Sequence, residues 1–254
     1  MVVSSEKDLA GLRRVGRVCA LTLRTMAAHL EPGMTTAELD QIGARVLQDH
    51  GARSAPILAY QFPGWTCISI NDEAAHGIPG PRAIQPGDLV NIDVSAELEG
   101  YWADMGASFV VPPAGPRQLR LLEAAQRAHA AAAAEARAGR RFSAIGRAVE
   151  AVARQTGFRI LRDLGSHGVG RHIHEEPHFI PAYVDGNDQR RFSEGMVITI
   201  EPFLSTRASR TRTSPDGWTL RTVDGSLVAQ FEHTYVITRG APIPVTVLDP
   251  PERA

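Results

Sequence analysis

Cysteine is scarce in this chain and lysine scarcer. Cys19 and Cys67 are the only thiols among 254 residues, and two thiols build no disulfide framework, which favours a reducing cytoplasm. Lys7 is the only lysine, all other basic side chains being arginine; in so alanine-rich a sequence this reads as genomic composition bias rather than chemistry. No apolar run approaches the ~20 residues of a membrane span. Residues 1–6 offer no basic stretch followed by an apolar one, so no signal peptide is read there. A net charge of −1 gives no general attraction to nucleic acid or to an anionic membrane. A Walker-type phosphate loop, a dinucleotide glycine fingerprint and a Gly-x-Ser-x-Gly elbow are all missing. So is any glycine- or proline-rich linker between the two halves.

What is present is a repeated phrase. Pro86-Gly87-Asp88-Leu89-Val90-Asn91-Ile92-Asp93 and Glu194-Gly195-Met196-Val197-Ile198-Thr199-Ile200-Glu201 each run from a glycine through an apolar stretch to an acid. An acid ending a buried strand is costly unless it is paired or holds a cation. The surroundings repeat too. Ser5 with Asp8 opens a helix whose stripe is Leu9, Leu12, Gly16, Cys19, Leu23, Met26 and Leu30, stopped by Pro32-Gly33. Thr35 and Glu38 form a capping box for a second helix, which reaches Gly51. A later helix runs from Pro116 to about Gly139, and another from Ser143 to Gly157. Gly33 to Gly51 and Gly139 to Gly157 both span 18 residues, and the copies are offset by 106 residues here and by 108 in the phrase. This agreement predicts an internal duplication. Strands are expected at 66–70, 89–97, 101–111, 196–201 and 227–238. The whole chain, 1–254, reads as a single α/β (α+β) domain with pseudo-symmetric halves of about 1–115 and 116–254, and with its site on the symmetry axis.

Chemistry-bearing residues cluster around those strands. A turn between Leu98 and Glu99 sets Asp93 opposite Asp104, and a turn at Glu99-Gly100 sets them one diagonal step apart; both allow contact. Two unpaired carboxylates in contact repel, a conflict that a divalent cation removes. Period-two alternation puts Gln230, Glu232 and Thr234 on one strand face. His167 sits among small residues in Gly165-Ser166-His167-Gly168, and His76 stands alone before Gly77. A strand through Arg171-His172-Ile173-His174 would place both histidines on one face, leaving a metal pair open. Glu175, Glu176, His178 and His233 also read as ordinary polar or structural residues. Four carboxylates with one imidazole suit two ions such as Mn, Fe, Co or Zn, and two metals can activate a water between them.

Taken together, Cys67-Ile68-Ser69-Ile70-Asn71, His76-Gly77-Ile78-Pro79, Val90-Asn91-Ile92-Asp93-Val94, Ser166-His167-Gly168-Val169-Gly170, His174-Glu175-Glu176-Pro177, Thr199-Ile200-Glu201-Pro202 and Gln230-Phe231-Glu232-His233-Thr234 resemble the type I methionine aminopeptidases of the M24 metallopeptidase family over nearly the full length. The resemblance implies the pita-bread fold, two pseudo-twofold-related halves with antiparallel strands covered by helices. It implies a cytoplasmic metalloprotease that removes the initiator methionine of nascent polypeptides when a small residue follows. It implies five ligands for two divalent ions, Asp93, Asp104, His167, Glu201 and Glu232, with Asp104 and Glu232 bridging, and a metal-bridging hydroxide that attacks the first peptide bond. One metal would take the free α-amine. Glu201 would pass the water's proton on, His174 would stabilise the oxyanion, and His76 would hold the peptide beyond the scissile bond.

By the same resemblance Phe62, Cys67 and Trp218 line the methionine pocket, alongside His76 and His174. Here the sequence departs: Pro56 stands where Cys is common, Ala59 (beside Tyr60) where Tyr is common, and Ile173 where Phe is common. Weaker activity or an altered side-chain preference is therefore expected to be worth testing. The resemblance further implies a monomer in transient ribosome contact. The N-terminal extension of some relatives, the large second-half insertion of the type II form and the extra domain of Xaa-Pro peptidases are not expected. A non-catalytic binding protein on the same scaffold is the rival of another class, but such proteins lose ligands.

Overall fold

The structure, a computed structural model, describes residues 1–248. The first half is α1 (Glu6–His29), α2 (Thr36–Asp49), β1 (Arg53–Ser54), α3 (Ala55–Tyr60), β2 (Cys67–Ile70), β3 (Glu73–Ala75) and the hairpin β4 (Leu89–Leu98) and β5 (Tyr101–Val110). The second is α4 (Pro116–Glu135), α5 (Ser143–Thr156), β6 (Arg159–Ile160), β7 (Gly165–Gly168), β8 (Glu175–Pro181), β9 (Val197–Ile200), β10 (Phe203–Ser205), β11 (Thr211–Thr213), β12 (Leu220–Thr222), β13 (Val228–Gln230), β14 (His233–Val236) and β15 (Ile243–Pro244).

Local chemistry explains the helix ends. The Ser5 hydroxyl caps α1 by accepting from the Asp8 N–H, and the Asp8 carboxylate accepts from the Ser4 N–H and from both serine hydroxyls. Thr35 and Glu38 form the reciprocal box at α2. The stripe Leu12, Val15, Cys19, Leu23 and Met26 is buried against β4 and β5. In α4 the buried face is Leu121 with Ala124, Ala125, Ala128 and Ala132, small side chains that let α5 lie close. This helix stops at Glu135, short of Gly139, because the Ala138 and Gly139 N–H groups donate to Thr238 and Phe192 carbonyls outside it.

The matching glycines share a backbone state: Gly33, Gly51 and Gly87 have φ of 91°, 67° and 85°, and Gly139, Gly157 and Gly195 have 84°, 77° and 80°. A left-handed backbone at six positions is what fixed the glycines at the repeat spacing. The larger sheets are antiparallel, one ordered β1-β4-β2 with β5 beside β4, the other β15-β14-β9-β7-β8. Two short three-stranded sheets, β13-β10-β6 and β11-β12-β3, complete the fold.

The halves are stitched together at β5. Ala107 bridges to Phe231, the Glu232 N–H donates to the Gly106 carbonyl at 2.8 Å, and Thr234 Oγ1 both accepts from the Asp104 N–H and donates to its carbonyl. This seam also breaks the strand expected over 227–238 into β13 and β14, with Glu232 turned out of the ladder between them. The unanticipated β7 and β8 carry glycine, histidine and paired glutamates, which give no apolar alternation to read.

Candidate metal centre and peptide cleft

Five acidic and imidazole side chains converge at the seam. The β4–β5 turn is Glu99-Gly100, both residues with positive φ (53° and 81°), the geometry of a two-residue type I′ hairpin. Its register pairs Asp93 with Gly106 and Ser95 with Asp104, so the two aspartates lie on the diagonal. From the other half, His167 Nε2 lies 3.2 Å from Glu201 Oε1 and 3.8 Å from Asp104 Oδ2. Ligand atoms of Asp104, His167 and Glu232 all fall within 4.8 Å of one another.

Neighbours hold these groups in place while leaving lone pairs free. Thr199 donates its hydroxyl to Glu201 Oε1 at 2.8 Å and accepts from the His167 N–H at 3.0 Å. Gln230 Nε2 donates to Glu232 Oε2 at 2.7 Å, and Asn91 in turn donates to Gln230 Oε1 at 2.8 Å. Asp93 Oδ1, Asp104 Oδ1 and Glu232 Oε1 are buried with no hydrogen-bond partner. Burial, and then the Asp104 charge beside them, push the Asp93 and Glu232 carboxyls well above the usual range. Burial raises Glu201 too, against the opposing bond from His167. Burial alone would lower His167, but the adjacent carboxylates, Glu201 foremost, outweigh it and raise its pKa. Three orphaned acceptors and mutual repulsion are what a cation relieves, and the oxygen-rich set with one imidazole fits a divalent metal.

An apolar cleft opens beside the acids, lined by Pro56, Phe62, Cys67, Ile173, Phe179 and Trp218. Phe62 and Trp218 meet edge to face with centroids 5.2 Å apart. Burial followed by the Asp93 charge raises the Cys67 thiol well above its ordinary value, so it serves as apolar wall. Of the three departing positions, Pro56 and Ile173 line this cleft, whereas Ala59 is exposed beside a neighbouring groove. Tyr60 lines both.

His76 enters the cleft from a left-handed backbone, φ 55°, a costly conformation for a non-glycine residue. The next residue can only be glycine, since a Cβ there would lie 2.2 Å from the Ile68 carbonyl oxygen. Burial lowers the His76 pKa. His174 sits with its ring 4.1 Å from that of His167 and its Nδ1 2.7 Å from the Tyr60 hydroxyl. Cleft burial, and then the His167 charge, depress it to about 3, so it is neutral at working pH.

The other histidines go elsewhere. Residues 171–174 form a bend rather than a strand, so His172 turns onto Trp102, 6.3 Å between centroids, and makes no pair with His174. His178 pairs with Glu176 on the surface, Glu175 pairs with the Met1 amine, and His233 bonds Thr246. Sequence reading assigned no role to Thr199, Gln230 or Tyr60; the first two flank acids within motifs already visible, but a polar partner of an acid has no periodic signal.

A sequence model of metallopeptidase family M24 matches residues 10–239. The chain is 47% identical over 249 residues to methionine aminopeptidase 2 of Bacillus subtilis, covering 98% of this chain and all of that one. It is 44% identical over 250 residues to a methionine aminopeptidase of Staphylococcus epidermidis, with the same coverage. The crystal structure of methionine aminopeptidase from Rickettsia prowazekii superposes with a TM-score of 0.92 at 33% identity, over 97% of this chain and all of that one.

Proposed function

The chain belongs to metallopeptidase family M24, and from that premise we propose how its own residues perform the removal of an N-terminal methionine from polypeptides whose second residue is small. The observation that carries the reading is the trio of orphaned carboxylate oxygens, on Asp93, Asp104 and Glu232, buried together where the two aspartates line an apolar cleft. Asp93, Asp104, His167, Glu201 and Glu232 would hold two divalent cations from among Co, Mn, Fe and Zn. When bound, such ions supply Lewis acidity, polarising the first peptide carbonyl and lowering the pKa of water.

The remaining work falls to side chains. Glu201, oriented by the Thr199 hydroxyl, takes the proton of the attacking water and delivers it to the leaving amine. His174, neutral, donates to the carbonyl oxygen as negative charge develops there. His76 holds the peptide beyond the scissile bond, and Phe62, Cys67 and Trp218 seat the methionine side chain. The type I form fits best, because no helix follows α5 among the described residues. The whole chain acts as one catalytic unit in this reading, a cytoplasmic monomer touching the ribosome transiently. The buried free thiols Cys19 and Cys67 suit that compartment. No helix among the described residues is long and apolar enough to cross a membrane.

Hydrolysis of Met-Ala-Ser by the protein loaded in turn with Mn, Fe, Co or Zn tests the reading. Turnover is expected, with Asp93→Ala slower by at least about 10²-fold. No turnover with any of the four would favour a binding protein on this scaffold. A tripeptide panel that shows a clear preference for a first residue other than methionine, or for proline second, would sink the methionine assignment.

A further inference from the structure

Tyr60 has no place in the chemistry set out above, yet it makes the only hydrogen bond recorded for the His174 side chain among the described residues. It is the last residue of α3, a helix capped at its start by the Ser54 side chain and ended by Gln61 in the left-handed conformation, φ 57°. Ser54 also donates to the Trp65 carbonyl at 2.8 Å, which ties α3 to the chain leading into β2. His174 comes from the bend before β8, 114 positions away in the other half. The two rings meet over the cleft, centroids 5.7 Å apart, while Tyr60 keeps 46% of its surface in water. Ordering so exposed an aromatic side chain costs rotamer freedom.

We propose that Tyr60 is a positioning residue for His174: its phenolic O–H donates to Nδ1 and so keeps the imidazole proton on Nε2, the nitrogen left to donate to the peptide carbonyl oxygen. A neutral imidazole carries one N–H and one acceptor nitrogen, and the bond at one nitrogen selects the tautomer at the other. The hydroxyl also fixes the ring plane, which the tilted contact with His167 alone leaves free to slide. The inference rests on the reading of His174 as the oxyanion donor.

Tyr60→Phe removes the hydroxyl and keeps the ring. The expected result on Met-Ala-Ser is a kcat lower by about tenfold, the effect of one well-placed hydrogen bond, with KM within about twofold and an unchanged melting temperature. In 15N-histidine spectra of zinc-loaded protein, wild-type His174 should show a single tautomer protonated at Nε2, and Tyr60→Phe a mixture. Combining Tyr60→Phe with His174→Ala should cost nothing beyond His174→Ala alone. Wild-type kcat in Tyr60→Phe, or a wild-type proton on Nδ1, would overturn the proposal while leaving the His174 reading intact. Wild-type kcat in His174→Ala would overturn both.

Discussion

Glu232 spends one carboxylate oxygen on Gln230 and leaves the other without a partner in a buried seam. In metal-free protein this group and Asp93, both raised well above the usual carboxyl range, hold protons that the unfolded chain has already released. The folded state therefore binds more protons than the unfolded one, and stability falls as pH rises from the unfolded carboxyl pKa of about 4. Thermal melts in chelator should show that decline from pH 5 to pH 8. A saturating divalent metal should flatten it and raise the melting temperature. Glu232→Gln should make the metal-free protein more stable by about 1 kcal/mol, and it should weaken metal binding measured by titration calorimetry. The acids were legible in the sequence because each interrupts or ends an apolar, strand-like run. Thr199, Gln230 and Tyr60 were not, because a hydroxyl or amide near a strand end is unremarkable until a partner from elsewhere in the chain is seen facing it.

At the scale of elements, α1 is tied at its start to the other half. Asp8 accepts from Ser4, Ser5 and Tyr101, and Arg171 reaches its Oδ1 at 2.8 Å from the bend that carries His174. The bonds from Ser4, Ser5 and Tyr101, the Ser4 N–H first among them, lower the Asp8 carboxyl to about 2 against the opposing effect of burial. A depressed carboxyl contributes stability that is present above its ordinary value of 3.8 and lost as pH falls through about 2. Asp8→Ala should destabilise by about 1–2 kcal/mol at neutral pH in urea denaturation, with the difference from wild type shrinking as pH falls from about 4 through 2. The β4–β5 hairpin offers a second check. Gly100→Ala, at φ 81°, should cost about 1 kcal/mol. The four longer helices were readable from caps, stripes and glycine stops, and the hairpin as a choice between two turns, whereas the short α3 was not anticipated. Strands β7 and β8 were not, since their pairing partners rather than their own residues make them strands.

For the molecule as a whole, the seam decides both stability and chemistry. Thr234 Oγ1 satisfies the N–H and the carbonyl of Asp104 at once. Thr234→Val keeps the shape and strands a buried N–H, a loss of about 2–4 kcal/mol, visible in chemical denaturation. Metal affinity should fall with it, as Asp104 loses its anchor. The repeated glycine spacing was legible because left-handed turns demand glycine. The way the halves face each other was not, because no residue announces a contact with a strand more than a hundred positions away.

The same seam sets a timetable. Asp93 and Asp104 lie in the first half, whereas His167, Glu201 and Glu232 lie in the second. A ribosome making this chain completes the first hairpin long before it reaches Glu232, 128 residues after Asp104. Until then the nascent molecule holds only part of the proposed five-residue ligand set. On the proposed ligand assignment, peptidase activity is expected only once the late carboxylate has been translated and folded against the early one.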